Sequence, residues 1–137
     1  MGRAEVNVAA DTNILVRAIM GDDPRQSPLA KAELVAADLV AIPTAVFCEL
    51  AWVLARGYRI PAPEIAIAIR RLINTANVAT NRPAVEAGLA MLHGGGDFAD
   101  GVIAFDGRWL NGGTFLSFDK TAARLVQAHG GEVRLLT

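Results

Sequence analysis

Short apolar runs alternate along this chain with longer stretches of helical periodicity, and the two periods predict strands and helices in turn. Residues 6–10 form a brief run rich in valine and read as a first strand. Residues 12–20 read as a helix, with a loop at Gly21-Asp22-Asp23-Pro24 behind it. Ser27-Pro28 offers a capping hydroxyl followed by a proline at the first helical position, which predicts a helix over 27–37. Residues 39–42 form a second strand, stopped by Pro43. Thr44 is expected to cap a helix running through Arg56 and closed by Gly57. Pro63-Glu64 opens a helix to about residue 75, and residues 77–79 form a short third strand. Pro83 opens a helix that Gly94-Gly95-Gly96 breaks after His93. Asp97 starts another, to about Leu110, which Asn111-Gly112-Gly113 ends. Residues 114–117 form a fourth strand, 119–129 a helix and 132–136 a last strand.

Strands alternating with helices predict an α/β fold whose sheet is parallel and covered by helices. Such sheets bind their ligands beyond the carboxyl ends of the strands. The acidic residues fall where that rule points. Asp11 directly follows the first strand and precedes a helix. There it serves as an N-cap, as a ligand, or as both through its two oxygens. Asp119 repeats the arrangement after the fourth strand, in Ser117-Phe118-Asp119.

Asp97 and Asp100 are spaced three apart, so both carboxylates project from one face of a helix's first turn. Their repulsion is offset by the helix N-terminus, and an acidic first turn is also the bland account of the pair. Glu49 stands in Ala45-Val46-Phe47-Cys48-Glu49-Leu50-Ala51-Trp52, where every neighbour is apolar. Either it shares an outward stripe with Arg56, or the helix is apolar nearly all round and therefore buried. A buried carboxylate is costly unless a charge or a metal compensates it.

Taken together, four carboxylates converging without a cation would repel strongly. A hard divalent ion relieves that repulsion, and oxygen-only ligands suit Mg²⁺ or Mn²⁺. His93 and His129 are not spaced as a metal pair, and the single cysteine, Cys48, excludes an internal disulfide and a cysteine zinc site. Cys48 reads as core filler. The 137 residues suit one domain with one core, and a hydrophobic content of 53% excludes a disordered chain. The net charge of −1 gives no global attraction to nucleic acid, so any basic contact surface is local. Of the basic residues all but Lys31 and Lys120 are arginine, the residue suited to bidentate phosphate contacts, although surface arginine is common without a ligand. No apolar stretch has the length of a membrane span or the form of a signal peptide, so the expected compartment is the cytoplasm.

The residues resemble the PIN-domain nuclease family and, within it, the VapC-type toxins of bacterial toxin–antitoxin systems. Val8-Ala9-Ala10-Asp11-Thr12-Asn13 looks like the family's first strand with its D-T-N signature. Glu49 falls in a helix where the family has a glutamate. Asp97-Phe98-Ala99-Asp100 is similar to the D-F-x-D segment, and Ser117-Phe118-Asp119 to the T-F-D segment. Gly101, where many members have alanine, departs from the pattern and is expected to loosen its helix. The segment Lys120-Thr121 after Asp119 is a second departure.

The resemblance implies one domain over 1–137 with a PIN-like three-layer α/β/α fold, its short parallel sheet flanked by helices. It also implies Mg²⁺- or Mn²⁺-dependent endoribonuclease activity, homodimers, and neutralisation by a cognate antitoxin protein. Asp11, Glu49, Asp100 and Asp119 are then the catalytic metal ligands. Asp97 holds an outer water or a second ion, and Thr12, Asn13 and Ser117 orient carboxylates or waters. Two other classes stay open. One is an Mg²⁺-dependent aspartyl phosphotransfer domain, with Asp11 as acceptor and Lys120 nearby in type. The other is a non-catalytic module whose apolar helices bind a protein.

Overall fold

In the computed structural model, which describes residues 4–137, helices and strands alternate as the pattern predicts. The chain divides into two compact units, the first ending at Asn81 and the second spanning Arg82–Thr137.

The first unit runs β1 (Asn7–Ala9), α1 (Thr12–Met20), α2 (Gln26–Ala36), β2 (Leu39–Ala41), α3 (Thr44–Trp52), α4 (Ala62–Ile73) and β3 (Val78–Ala79). The strands are parallel in the order β1-β2-β3, with Val8 opposite Val40 and Val40 opposite Val78. Parallel neighbours need crossover connections, and here helices supply them. Leu15 of α1, Phe47, Leu50 and Leu54 of the α3 region, and Ile65 and Ile69 of α4 are fully buried. Each such side chain contributes about 1.5–3 kcal/mol by leaving water. This packing holds α1 against α3, the two helices that carry the unit's candidate acids.

Several local expectations are corrected here. Ser27 does not cap α2. Asp23 does so from further back, its Oδ1 accepting the amides of Arg25 (2.9 Å) and Gln26 (2.6 Å), while Ser27 is buried and its Oγ accepts from the Asp23 amide. An aspartate that reaches two free amides outcompetes a serine at the second helical position. Thr44 is likewise no cap: Pro43 occupies that position, without a side-chain bond. And α3 does not run evenly to Arg56. After Trp52 it widens into one π-helical turn, Val53–Gly57, closed by the Tyr58 amide on the Val53 carbonyl at 3.2 Å. Arg59, not Gly57, then adopts the left-handed backbone, with φ of 56°. Cys48 is half-buried, so it is not the core filler expected.

The second unit runs α5 (Arg82–His93), α6 (Phe98–Trp109), β4 (Thr114–Ser117), α7 (Lys120–Ala128) and β5 (Glu132–Leu135). Strands β4 and β5 pair in parallel from Thr114 opposite Glu132 to Ser117 opposite Leu135. The strands of the chain thus form two hydrogen-bonded sets, three and two strands wide, where the sequence predicted one sheet. Met91, Leu125 and Val126 make a buried cluster, covered by Ala104, Phe115 and Val133. Among the described residues no helix is long and apolar enough to cross a membrane.

Gly101 has a role opposite to the loosening expected from sequence. It lies where α5 and α6 cross, and a Cβ there would stand 2.2 Å from the Ala87 carbonyl oxygen and 2.9 Å from Gly88 Cα. Gly88 is equally confined, since its Cβ would meet the Phe98 ring at 2.6 Å. The two glycines let the helices touch backbone to backbone, one residue from Asp100. Gly101→Ala therefore destabilises the protein by about 1–3 kcal/mol through overpacking, although alanine is the better helix former by about 1 kcal/mol. Urea denaturation of the two proteins measures the difference, and a gain in stability from Gly101→Ala would contradict the close crossing.

Candidate active site

In the first unit, the acids at the β1–α1 junction and on α3 meet through one threonine. The chain leaves β1 at Ala10, turns at Asp11 with extended backbone, and enters α1. Asp11 Oδ1 accepts the Thr12 amide at 2.7 Å, one of the free donors at the helix start. Thr12 is buried, and its Oγ1 donates to Glu49 Oε2 at 3.1 Å. One residue therefore ties the two carboxylates, its amide to the first and its hydroxyl to the second. Each carboxylate commits one oxygen, and the other has no hydrogen bond among the described residues.

Glu49 is exposed, and so are Ala45, Trp52 and Arg56 along the same helix side, while Phe47, Leu50 and Leu54 are buried. The expectation of a helix buried all round is corrected by this. The outward stripe shared by Glu49 and Arg56 is the arrangement found, with apolar residues standing on the wet side. Glu49 thus faces water and the Thr12 hydroxyl, not a dry interior. Asn13 is exposed and lies one residue beyond the threonine link.

In the second unit the acids gather at the start of α6 and at the β4–α7 junction. Asp97 occupies the cap position of α6 with extended backbone and makes no side-chain cap bond, and Asp100 sits in the first turn. Asp119 caps α7, its Oδ1 accepting the Ala122 amide at 2.9 Å. Its own amide donates to Ser117 Oγ at 2.9 Å, so the serine fixes the backbone from which the carboxylate projects.

Asp100 is half-buried, and its carboxyl is pushed above the usual carboxylate range. Loss of water is the largest cause, followed by the negative charges of Asp97 and then Asp119. These three carboxylates therefore sense one another within the unit. The structure adds one relation that residue order alone could not give, the Thr12–Glu49 hydrogen bond. The sequence points to Thr12 as a residue that orients a carboxylate or a water, without naming Glu49 as its partner.

The donor chemistry fits a hard cation. Every candidate side chain is a carboxylate, and the caps on Asp11 and Asp119 engage one oxygen while leaving the second. Among the described residues no three histidine, cysteine, aspartate or glutamate side chains stand close enough together to hold a metal ion.

Two predictions separate structural from chemical roles here. Replacing Asp119 with alanine removes a cap and costs about 1 kcal/mol of stability. Asp119→Asn keeps the acceptor and most of that stability. A denaturation series in EDTA distinguishes the two, and equal losses would contradict the cap. Asp100 behaves in the opposite sense. The folded chain holds its proton more firmly than the unfolded chain does, so its contribution is favourable at low pH. That contribution is lost as pH rises from the ordinary carboxylate range through the raised value. Asp100→Asn should therefore melt above wild type at pH 7 in EDTA, with the gap closing as the solution is acidified. A variant that melts lower at pH 7 and keeps that deficit in acid would contradict the electrostatic account.

Comparison with known proteins adds one match. The PIN domain family matches residues 8–126, from β1 into α7 and across every candidate acid. No curated protein matches the chain.

Proposed function

The chain belongs to the PIN domain family, whose three-layer α/β/α fold generally serves metal-dependent nucleases, and on that premise we propose that it is an endoribonuclease using Mg²⁺ or Mn²⁺. The observation that carries this reading is the half-buried Asp100, held among Asp97 and Asp119 at a cost in electrostatic energy that folding alone does not require. Groups kept in such unfavourable surroundings concentrate at functional sites. In this reading Asp11, Glu49, Asp100 and Asp119 are the metal-binding acids. Asp97 holds an outer water.

Divalent cations held by these acids would supply charge neutralisation at a scissile phosphate and lower the pKa of an attacking water. The protein's own part is positioning. Thr12 fixes the Glu49 carboxylate from one oxygen and leaves the other for a ligand. Asp11 and Asp119 gain rigidity from the helices they cap. Ser117 sets the backbone at Asp119, and Asn13 is exposed beside the Asp11 junction, where it is available to orient a water. A cation beside Asp100 would offset the burial and like charges that raise its pKa.

Within the family, the toxin of a VapBC-type toxin–antitoxin pair is the role that fits the D-T-N, D-F-x-D and S-F-D segments together. A protein partner is supported by an apolar groove of about 590 Å³ in the first unit, lined by Leu15, Leu34, Val35, Val40 and Leu72. Val35 on its rim is 84% exposed, a large apolar side chain left in water. We assign this groove to the antitoxin, and the exposed Trp52 and Ile67 to a homodimer contact.

Purified protein incubated with single-stranded RNA should cleave it with Mg²⁺ or Mn²⁺ and be silent in EDTA. Asp11→Asn and Asp100→Asn should each lower the rate at least about a hundredfold, since even residues that only orient metal ligands cost roughly 10–100-fold. Undiminished cleavage by both variants, or cleavage in EDTA, would overturn the assignment.

A further inference from the structure

The second unit contains a cleft that the nuclease reading does not use. It lies between α5, α6 and the end of α7, and its volume is about 410 Å³. Small-molecule sites span roughly 300–1,000 Å³. Its walls are apolar, from Ala90, Met91, Ala104 and Leu125, and its lip carries Phe105 and Trp109. Those two rings lie 6.5 Å apart at 34°, and Trp109 is 79% exposed. Only two charged or titratable side chains line the cleft, Arg108 and His129, and the donors it offers a ligand are those of the Arg108 guanidinium.

Neither is consumed by the fold. The Arg108 guanidinium has no ion pair or hydrogen bond among the described residues, and its Nη2 lies beside Gly131, 3.5 Å from where a Cβ would stand. A side chain at Gly131 would meet Val126 at 2.6 Å, so glycine keeps the adjoining cavity open beside the arginine. His129 Nδ1 donates to the Leu125 carbonyl at 2.8 Å, because a carbonyl only accepts. This fixes one ring nitrogen and leaves Nε2 without a partner. Glu132 lines an adjoining cavity with Arg108, yet forms no ion pair with it. The cleft thus joins an aromatic lip and an apolar wall to a cation with no acid among its lining residues.

We propose that this cleft binds a small anion carried on a flat apolar body, of the class of aromatic carboxylates. The ring system enters between Phe105, Met91 and Ala104, and the carboxylate meets the Arg108 guanidinium. The forked guanidinium suits a planar carboxylate better than an ammonium would. A ligand of this size in an open cleft binds with a dissociation constant of about 1 mM. The site is independent of the metal chemistry, because none of the candidate acids lines it.

The probe is 2-naphthoate, with 2-naphthamide as a neutral molecule of the same shape, each titrated into the full chain and followed by amide NMR shifts. Naphthoate should move resonances of residues 87–91, 101–109 and 125–129 in one saturable step, and naphthamide should bind about tenfold more weakly. Arg108→Gln, a surface change, should weaken naphthoate about tenfold and leave naphthamide unchanged. Ala104→Leu should fill the cleft and abolish both, while Ala104→Ser, which keeps its volume, should still bind. Equal affinity for the two probes, scattered shifts, or insensitivity to Arg108→Gln would overturn the proposal. So would concentration-dependent self-association through these residues that Trp109→Ala removes, since the cleft would then belong to a second copy of the chain.

Discussion

The arrangement of charge at the start of α6 is the constraint from which the rest of this protein is best understood. Asp100 is drawn partly out of water and faces Asp97 and Asp119, so its ionised form is disfavoured by burial and by two like charges. No positive charge contributes to relieving it. A fold selected only for stability would not keep such an arrangement, because asparagine has the same shape and no charge. The close packing beneath it makes the position rigid. Gly101 and Gly88 bring α5 and α6 into backbone contact, and a helix held so firmly cannot swing its first turn away from the neighbouring acids. Here packing precision and electrostatic cost occur within one turn of the same helix.

The acids of the first unit are organised by a different device. Asp11 and Glu49 are far apart in sequence and are joined through Thr12, whose amide and hydroxyl serve one carboxylate each. The capping bond stabilises α1 and at the same time fixes the direction of the acid. A capping role and a ligand role are therefore not rivals at Asp11 or at Asp119. One oxygen holds the helix start, and the other stays open. PIN domains are typically metal-dependent nucleases, and both half-used acids lie within the residues that the family matches.

Much of this was legible in the sequence. The bounds of α1 and β4 follow from the pattern without adjustment, because Asp11 and Gly21 delimit the first and Gly113 opens the second. The acids at strand ends were also visible, since a carboxylate between an apolar run and a helix start has few places to go. What sequence order hides is local competition between partners. Asp23 takes the cap that Ser27 offers in sequence, and Thr44 loses that role because Pro43 already provides the extended backbone before the helix. The π-helical turn after Trp52 leaves no signature in composition. Gly101 misleads because a glycine in a helix looks weak until the neighbouring helix is placed against it. Glu49 misleads because apolar neighbours need not be buried: Ala45 and Trp52 share its wet side.

The claim on which the functional account rests is that the strained carboxylate of Asp100 is there to hold a divalent cation. Paramagnetic broadening by substoichiometric Mn²⁺ tests it without relying on turnover. The account predicts that amide resonances of residues 97–101 and 117–120 broaden together at the same Mn²⁺ concentration, and that Asp100→Asn removes both effects at that concentration. Broadening scattered over surface acids, or unchanged in the variant, would contradict it.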